Sequence, residues 1–150
     1  YVMYSAGLYM EALLQIFYVC MGIYGWHQWL NKNSTEQELS VSTWEPVKHV
    51  SAVTLIFVLA YASGLLLEKY TAAALPFLDA LTTWGAIVTT YMVANKVLEN
   101  WIYWFVIDSI SIYLFISREL YFTAFLFFVY LFMIVIGYRA WKQSRVVVND

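Results

Sequence analysis

Long apolar runs separated by short polar breaks dominate the pattern along this chain. A helix needs ~20 residues to cross a bilayer, and five runs approach or exceed that length: Leu8–Leu30, Val47–Leu67, Pro76–Asn95, Trp101–Ser117 and Leu120–Trp141. The one long polar connection, Asn31–Glu45, separates the first run from the second. Pro46 follows it and suits the first turn of a helix, where a missing N–H costs nothing. The remaining breaks, Glu68–Leu75, Lys96–Asn100 and Arg118–Glu119, are short, so consecutive helices run antiparallel beside one another. The pattern predicts an all-α integral membrane protein.

Composition agrees. Hydrophobic residues make up 63% of the 150 and charged residues only 12%, against about 25% charged in a soluble domain. A formal net charge of -2 offers no basic surface for nucleic acid. The single cysteine, Cys20, excludes an internal disulfide or a CxxC pair, and inside an apolar helix it reads as a small buried packing residue. The opening stretch has neither a basic n-region nor a cleavage pattern, so no signal peptide is expected. It also lacks an initiating Met, which points to a truncated start.

Lysines and arginines divide unevenly between the two ends of these runs. Lys32, Lys48, Lys96, Arg139, Lys142 and Arg145 fall on one side, Lys69 and Arg118 on the other. Six against two places the C-terminus in the cytoplasm by the positive-inside rule. Trp26, Trp29, Trp44, Tyr70, Tyr138 and Trp141 lie near the run ends, where interfacial anchoring accounts for most of them.

A shift of 112 residues aligns Leu8–Trp29 with Leu120–Trp141, the numbers differing by 112 at both ends. Identities fall at Tyr9/Tyr121, Ala12/Ala124, Leu14/Leu126, Tyr18/Tyr130, Gly25/Gly137 and Trp29/Trp141, among others. Three helices intervene, so the two copies cross in the same direction, as in parallel repeats about an axis along the membrane normal. The expected plan has seven helices as three, one and three, five of them present here. Residues 1–30 end the first triplet, with Tyr1–Ala6 the tail of its middle helix. Residues 31–75 hold the loop and an almost wholly apolar linker helix, 76–141 form the second triplet, and 142–150 a cytoplasmic tail.

Candidate chemistry concentrates in Asn100–Ser117. Trp101, Trp104, Asp108 and Ser111 follow one another at intervals of three, four and three, which lines them along one helix face. An ionisable group near mid-membrane is costly and faces a cavity, a pathway or a partner. A purely structural Asp108 and an interfacial Asn100–Trp101 remain alternatives. Gln15, Tyr18, Gly22 and Gly25 share a face of the first helix. There Gln15 and Tyr18 supply donors and an acceptor, though an amide bridging two helices is an equal reading for Gln15. On the third helix, Thr82, Thr83, Thr89 and Thr90 have a plain explanation in bonds to their own backbone. Asp79 near the start of that helix is either a favourable charge at its positive end or a ligand contact. No Walker loop, nucleophile elbow or HExxH occurs, so neither an enzyme nor a cofactor is expected. Any transport would run downhill or on an ion gradient.

Three runs carry a resemblance: LLQIFYVCMGIYGWHQW (Leu13–Trp29), VLENWIYWFVIDSISIYLF (Val97–Phe115) and LYFTAFLFFVYLFMIVIGYRAW (Leu120–Trp141). Together the chain resembles the PnuC nicotinamide riboside transporters, which are similar to SWEET sugar transporters in their three-plus-one-plus-three arrangement. The resemblance implies facilitated diffusion of a cationic vitamin precursor across the bacterial inner membrane by a homotrimer, feeding NAD synthesis. By motif, Asn100, Trp101 and Trp104 match the family's Asn-Trp-x-x-Trp. Gln15 matches a glutamine upstream of its Tyr-Gly-Trp, and Asp108 stands where some members have Asn. Two rivals remain: thiamine as the cationic ring, and a non-transporting membrane assembly subunit. The second expects a dry, tightly packed interior with Asp108 bonded to a threonine or tyrosine.

Overall fold

The computed structural model describes residues 9–30, 40–70 and 75–148. They form five helices: α1 (Tyr9–Leu30), α2 (Pro46–Tyr70), α3 (Pro76–Ala94), α4 (Asn100–Ser117) and α5 (Tyr121–Val148). The expectations for Tyr1–Ala6 and most of the polar loop lie outside the described residues. Both prolines stand at the first helical position, as their fixed φ and missing N–H favour.

Four helices, α2 to α5, are long and apolar enough to cross a membrane. The first run differs from expectation. At 22 residues α1 has the length, but Glu11, Gln15, His27 and Gln28 dilute its apolar character. Beyond Trp141, α5 continues as helix to Val148. Lys142–Val148 contains no Gly or Pro to stop it.

Helix α3 is the hub. It packs against α2, α4 and α1, while α5 packs against α4. No close backbone approach joins α2 to α4 or α1 to α5 among the described residues. Without a hydrophobic drive between helices in lipid, close approach depends on small residues, and α2 shows it: Ala52, Ile56, Ala60 and Gly64 form a buried stripe four residues apart. A Cβ on Gly64 would overlap the Phe77 ring of α3. The Trp84 indole donates to Ser63 Oγ at 3.0 Å across the same contact. Cys20 is exposed rather than buried. It lies on α1 with outward-facing Ile16, Val19 and Ile23, and a thiol is apolar enough for a lipid-facing position.

The short connections are tight. Lys96 (φ 48°) and Glu119 (φ 60°) take the left-handed conformation that closes a helix C-terminus, without the glycine usual there. The α3–α4 turn is further pinned by Ser42, whose N–H donates to Lys96 O at 3.0 Å and whose carbonyl accepts from Leu98 N–H at 2.8 Å. That fixes the start of α4, and with it the depth of every residue on its face.

Candidate functional site

A cavity of about 460 Å³ lies between α1, α3, α4 and α5, within the ~300–1,000 Å³ typical of small-molecule sites. Helix α4 supplies Trp101, Trp104, Asp108 and Ser111, all four on the face set by their spacing. Tyr18 enters from α1, Thr82 and Thr83 from α3, Tyr130 and Met133 from α5.

Electrostatically the cavity is one-sided. Asp108 is buried, with 4% of its surface exposed. Among the described residues no lysine, arginine or histidine lines the cavity, and no hydrogen bond or ion pair reaches the Asp108 carboxylate. The two cavity threonines are committed elsewhere: Thr82 donates to Leu78 O at 3.0 Å and Thr83 to Asp79 O at 2.8 Å, each along its own helix. A carboxylate enclosed by rings and left unpaired is expensive unless a cation or water shares the space.

The indoles are held from behind. Trp101 meets Trp141 edge-to-face at 5.4 Å between ring centroids, and Trp141 meets Trp29 at 6.1 Å. Trp29 in turn donates to Ala94 O at 3.1 Å, and the Lys96 ammonium stands 5.0 Å from its ring centre. The Trp101 ring lies flat against α5 at Gly137, where any Cβ would overlap it. Asn100 is wholly buried beside it. Its amide N–H donates to Val97 O at 2.6 Å, and its Oδ1 and the Trp101 Nε1 have no protein partner.

The residues singled out in the sequence thus divide. Tyr18, Trp101, Trp104 and Asp108 share the cavity. Asn100 sits behind it. The Gln15 side chain lies outside the described residues. Asp79 does not join the cavity: its carboxylate pairs with Arg118 at the far end of α4, because a half-buried acid at a helix start takes the nearest cation. Tyr130, Met133 and the seat at Gly137 were not singled out. The internal repeat carried a signal for two of them, since Tyr130 is the counterpart of cavity-lining Tyr18 and Gly137 that of Gly25.

Four apolar spans, three of which join α1 around an acid-bearing aromatic cavity, define the class: a multi-pass α-helical membrane protein. The sequence profile of the nicotinamide mononucleotide transporter family matches residues 1–143. The chain belongs to that family. It is 25% identical over 168 aligned positions to the nicotinamide riboside transporter PnuC of Escherichia coli K12, covering 95% of this chain and 70% of that protein. The PnuC of Shigella flexneri matches with the same figures. The riboflavin/roseoflavin transporter RibM of Streptomyces davaonensis is 27% identical over 128 positions, 82% of this chain and 59% of that protein. No solved structure matches the chain.

Proposed function

We propose that this chain carries nicotinamide riboside across the bacterial inner membrane by facilitated diffusion. The observation that carries the reading is the unpaired, buried Asp108 in a cavity walled by Trp101, Trp104 and Tyr18. A pyridinium ring stacks on an indole face with a cation–π gain of ~1–2 kcal/mol once desolvated, and Asp108 balances its charge. Ribose hydroxyls donate to the same carboxylate. The two PnuC relatives support the substrate. Riboflavin, the ligand in RibM's name, carries no positive charge, so the unpaired acid favours the pyridinium. An assembly subunit would instead be dry inside with Asp108 bonded to a neighbour, which the open cavity disfavours.

The wider arrangement follows from the repeat. We read α1 and α5 as equivalent third helices of two parallel triplets joined by α2, in the SWEET-like plan, assembled as a homotrimer. Rocking one triplet against the other alternates access to the cavity. The six-to-two charge count supports a cytoplasmic C-terminus.

The test is calorimetric binding of nicotinamide riboside, thiamine and riboflavin to the purified full-length protein, paired with uptake in vesicles. Binding of the riboside alone, lost in Trp101→Ala and Trp104→Ala, is the expected result. Thiamine binding alone keeps the site and replaces the substrate. Unchanged binding and uptake in both tryptophan variants puts the site elsewhere.

A further inference from the structure

A second hollow, of about 560 Å³, lies on the opposite side of α4. It exists because α2 and α4 both pack on α3 but make no close backbone approach to each other. The result is a groove floored by α3 at Leu81 and Gly85, with walls from Val53 and Phe57 of α2 and Val106 and Ile110 of α4. These walls are apolar, and Phe57 and Val106 are 59% and 52% exposed, so the groove opens sideways toward lipid.

Apart from Thr82, whose hydroxyl donates to its own helix backbone, its polarity is confined to one end. There His49 Nδ1 and the Tyr103 hydroxyl share a hydrogen bond at 3.0 Å, with their rings stacked at 5.8 Å. Trp44 tilts over His49 at 5.7 Å, and its backbone N–H donates to the Glu99 carboxylate at 3.3 Å. His49, Tyr103 and Glu99 all line the groove. Lys48 stands at the same level, one residue before His49. From His49 to Phe57 the apolar wall is eight residues of helix, about 12 Å at ~1.5 Å per residue. That is close to half of a ~30 Å hydrocarbon core.

We propose that this groove is a lipid site, holding one acyl chain of a phospholipid with a primary-amine headgroup. The depth decides between occupants, because a slot one leaflet deep and polar only at its mouth fits a lipid tail. A second copy of this chain would need a face running the full span. The headgroup follows from charge. Glu99, which already accepts from the Trp44 backbone N–H, receives an ammonium, while Lys48, one residue before groove-lining His49, offers a cation to the phosphate. An anionic glycerol headgroup has no cation to offer Glu99.

The test is native mass spectrometry of the full-length protein titrated with phosphatidylethanolamine or phosphatidylglycerol of identical chains, with oligomeric state read from the same spectra. One charge-assisted contact at an interface gives the ethanolamine lipid about a five-fold advantage. Glu99→Gln brings the two lipids to parity, and Val53→Trp, at a half-exposed groove position, removes the retained lipid without changing the oligomer. Equal retention of both lipids by the wild type overturns the proposal. So does undiminished retention in Val53→Trp, or loss of the oligomer in that variant, which makes the groove an interface between copies.

Discussion

The two faces of α4 border hollows of similar size, about 460 Å³ inside and 560 Å³ outside, and of opposite chemistry. The inner face spaces two indoles, an acid and a serine along the helix, so polarity reaches its middle turn at Asp108. On the outer face Ile102, Val106 and Ile110 leave the middle apolar, and polarity stops at Tyr103 near the helix start. In a bilayer that difference outweighs volume. A polar group at mid-depth is costly without a solute or water to share it, whereas an apolar slot at the same depth is at rest with a lipid chain in it. Size alone would rank the two hollows the wrong way round for a carrier of a charged solute.

The comparison breaks first at the glycines that let α4 seat. Gly137→Ala drives a Cβ into the rigid Trp101 ring. Overpacking of this kind costs about 1–3 kcal/mol, so we expect a clear loss of thermal stability together with weaker riboside binding. Gly85, on the outer side, would place its Cβ 3.1 Å from both Cδ1 and Cγ1 of Ile107, a side chain that needs to yield by only a few tenths of an ångström. Gly85→Ala then costs under about 1 kcal/mol, partly offset by alanine's better helix propensity. Equal melting shifts for the two variants would contradict the tight seat of Trp101.

Next in size is the stacking surface. Trp104→Ala removes an inner ring and with it about 2 kcal/mol of ligand attraction, roughly thirty-fold in Kd. Val106→Ala, two residues on but facing outward, leaves Kd within about two-fold. Calorimetry on both separates the faces directly. A smaller and more selective effect belongs to Asp108→Asn. Loss of the counter-charge weakens the cationic riboside by about ten-fold, or about 1.4 kcal/mol, and weakens the neutral dihydropyridine form, which keeps only the ribose hydroxyl contacts, by distinctly less. An equal loss for both forms would make Asp108 a positioning group and not a counter-ion.

How much of this was legible in the sequence depends on whether one helix or several decide the answer. The inner face of α4 depends only on helical periodicity, so Trp101, Trp104, Asp108 and Ser111 could be grouped from their spacing. Four of the five spans expected from hydropathy followed in the same way. What meets that face is set by tertiary packing. Tyr130 and Met133 sit in an α5 so uniformly apolar that nothing marks its inward side, and only the 112-residue repeat with Tyr18 pointed to Tyr130. The repeat has limits of its own. Gly25 and Gly137 align, yet a Cβ on Gly25 would meet only Ala94, at 3.4 Å, whereas Gly137 holds an indole. Asp79 was ambiguous for a different reason: its partner, Arg118, is 39 residues away.

The Asp79–Arg118 pair gives the smallest effect, and it tests whether charge matters by depth or merely by presence. Its two side chains are 27% and 34% exposed, at the membrane edge, where water and salt screen the attraction. Pairs of that kind contribute up to about 1 kcal/mol and often less. Asp79→Asn is therefore expected to lower the melting temperature slightly, more at low salt than at high salt, with no change in riboside affinity. Asp108→Asn carries the same chemical change at mid-depth and moves affinity instead. Were Asp79→Asn to weaken riboside binding as much as Asp108→Asn does, the cavity's selectivity for cations would belong to the protein's overall field and not to the inner face of α4.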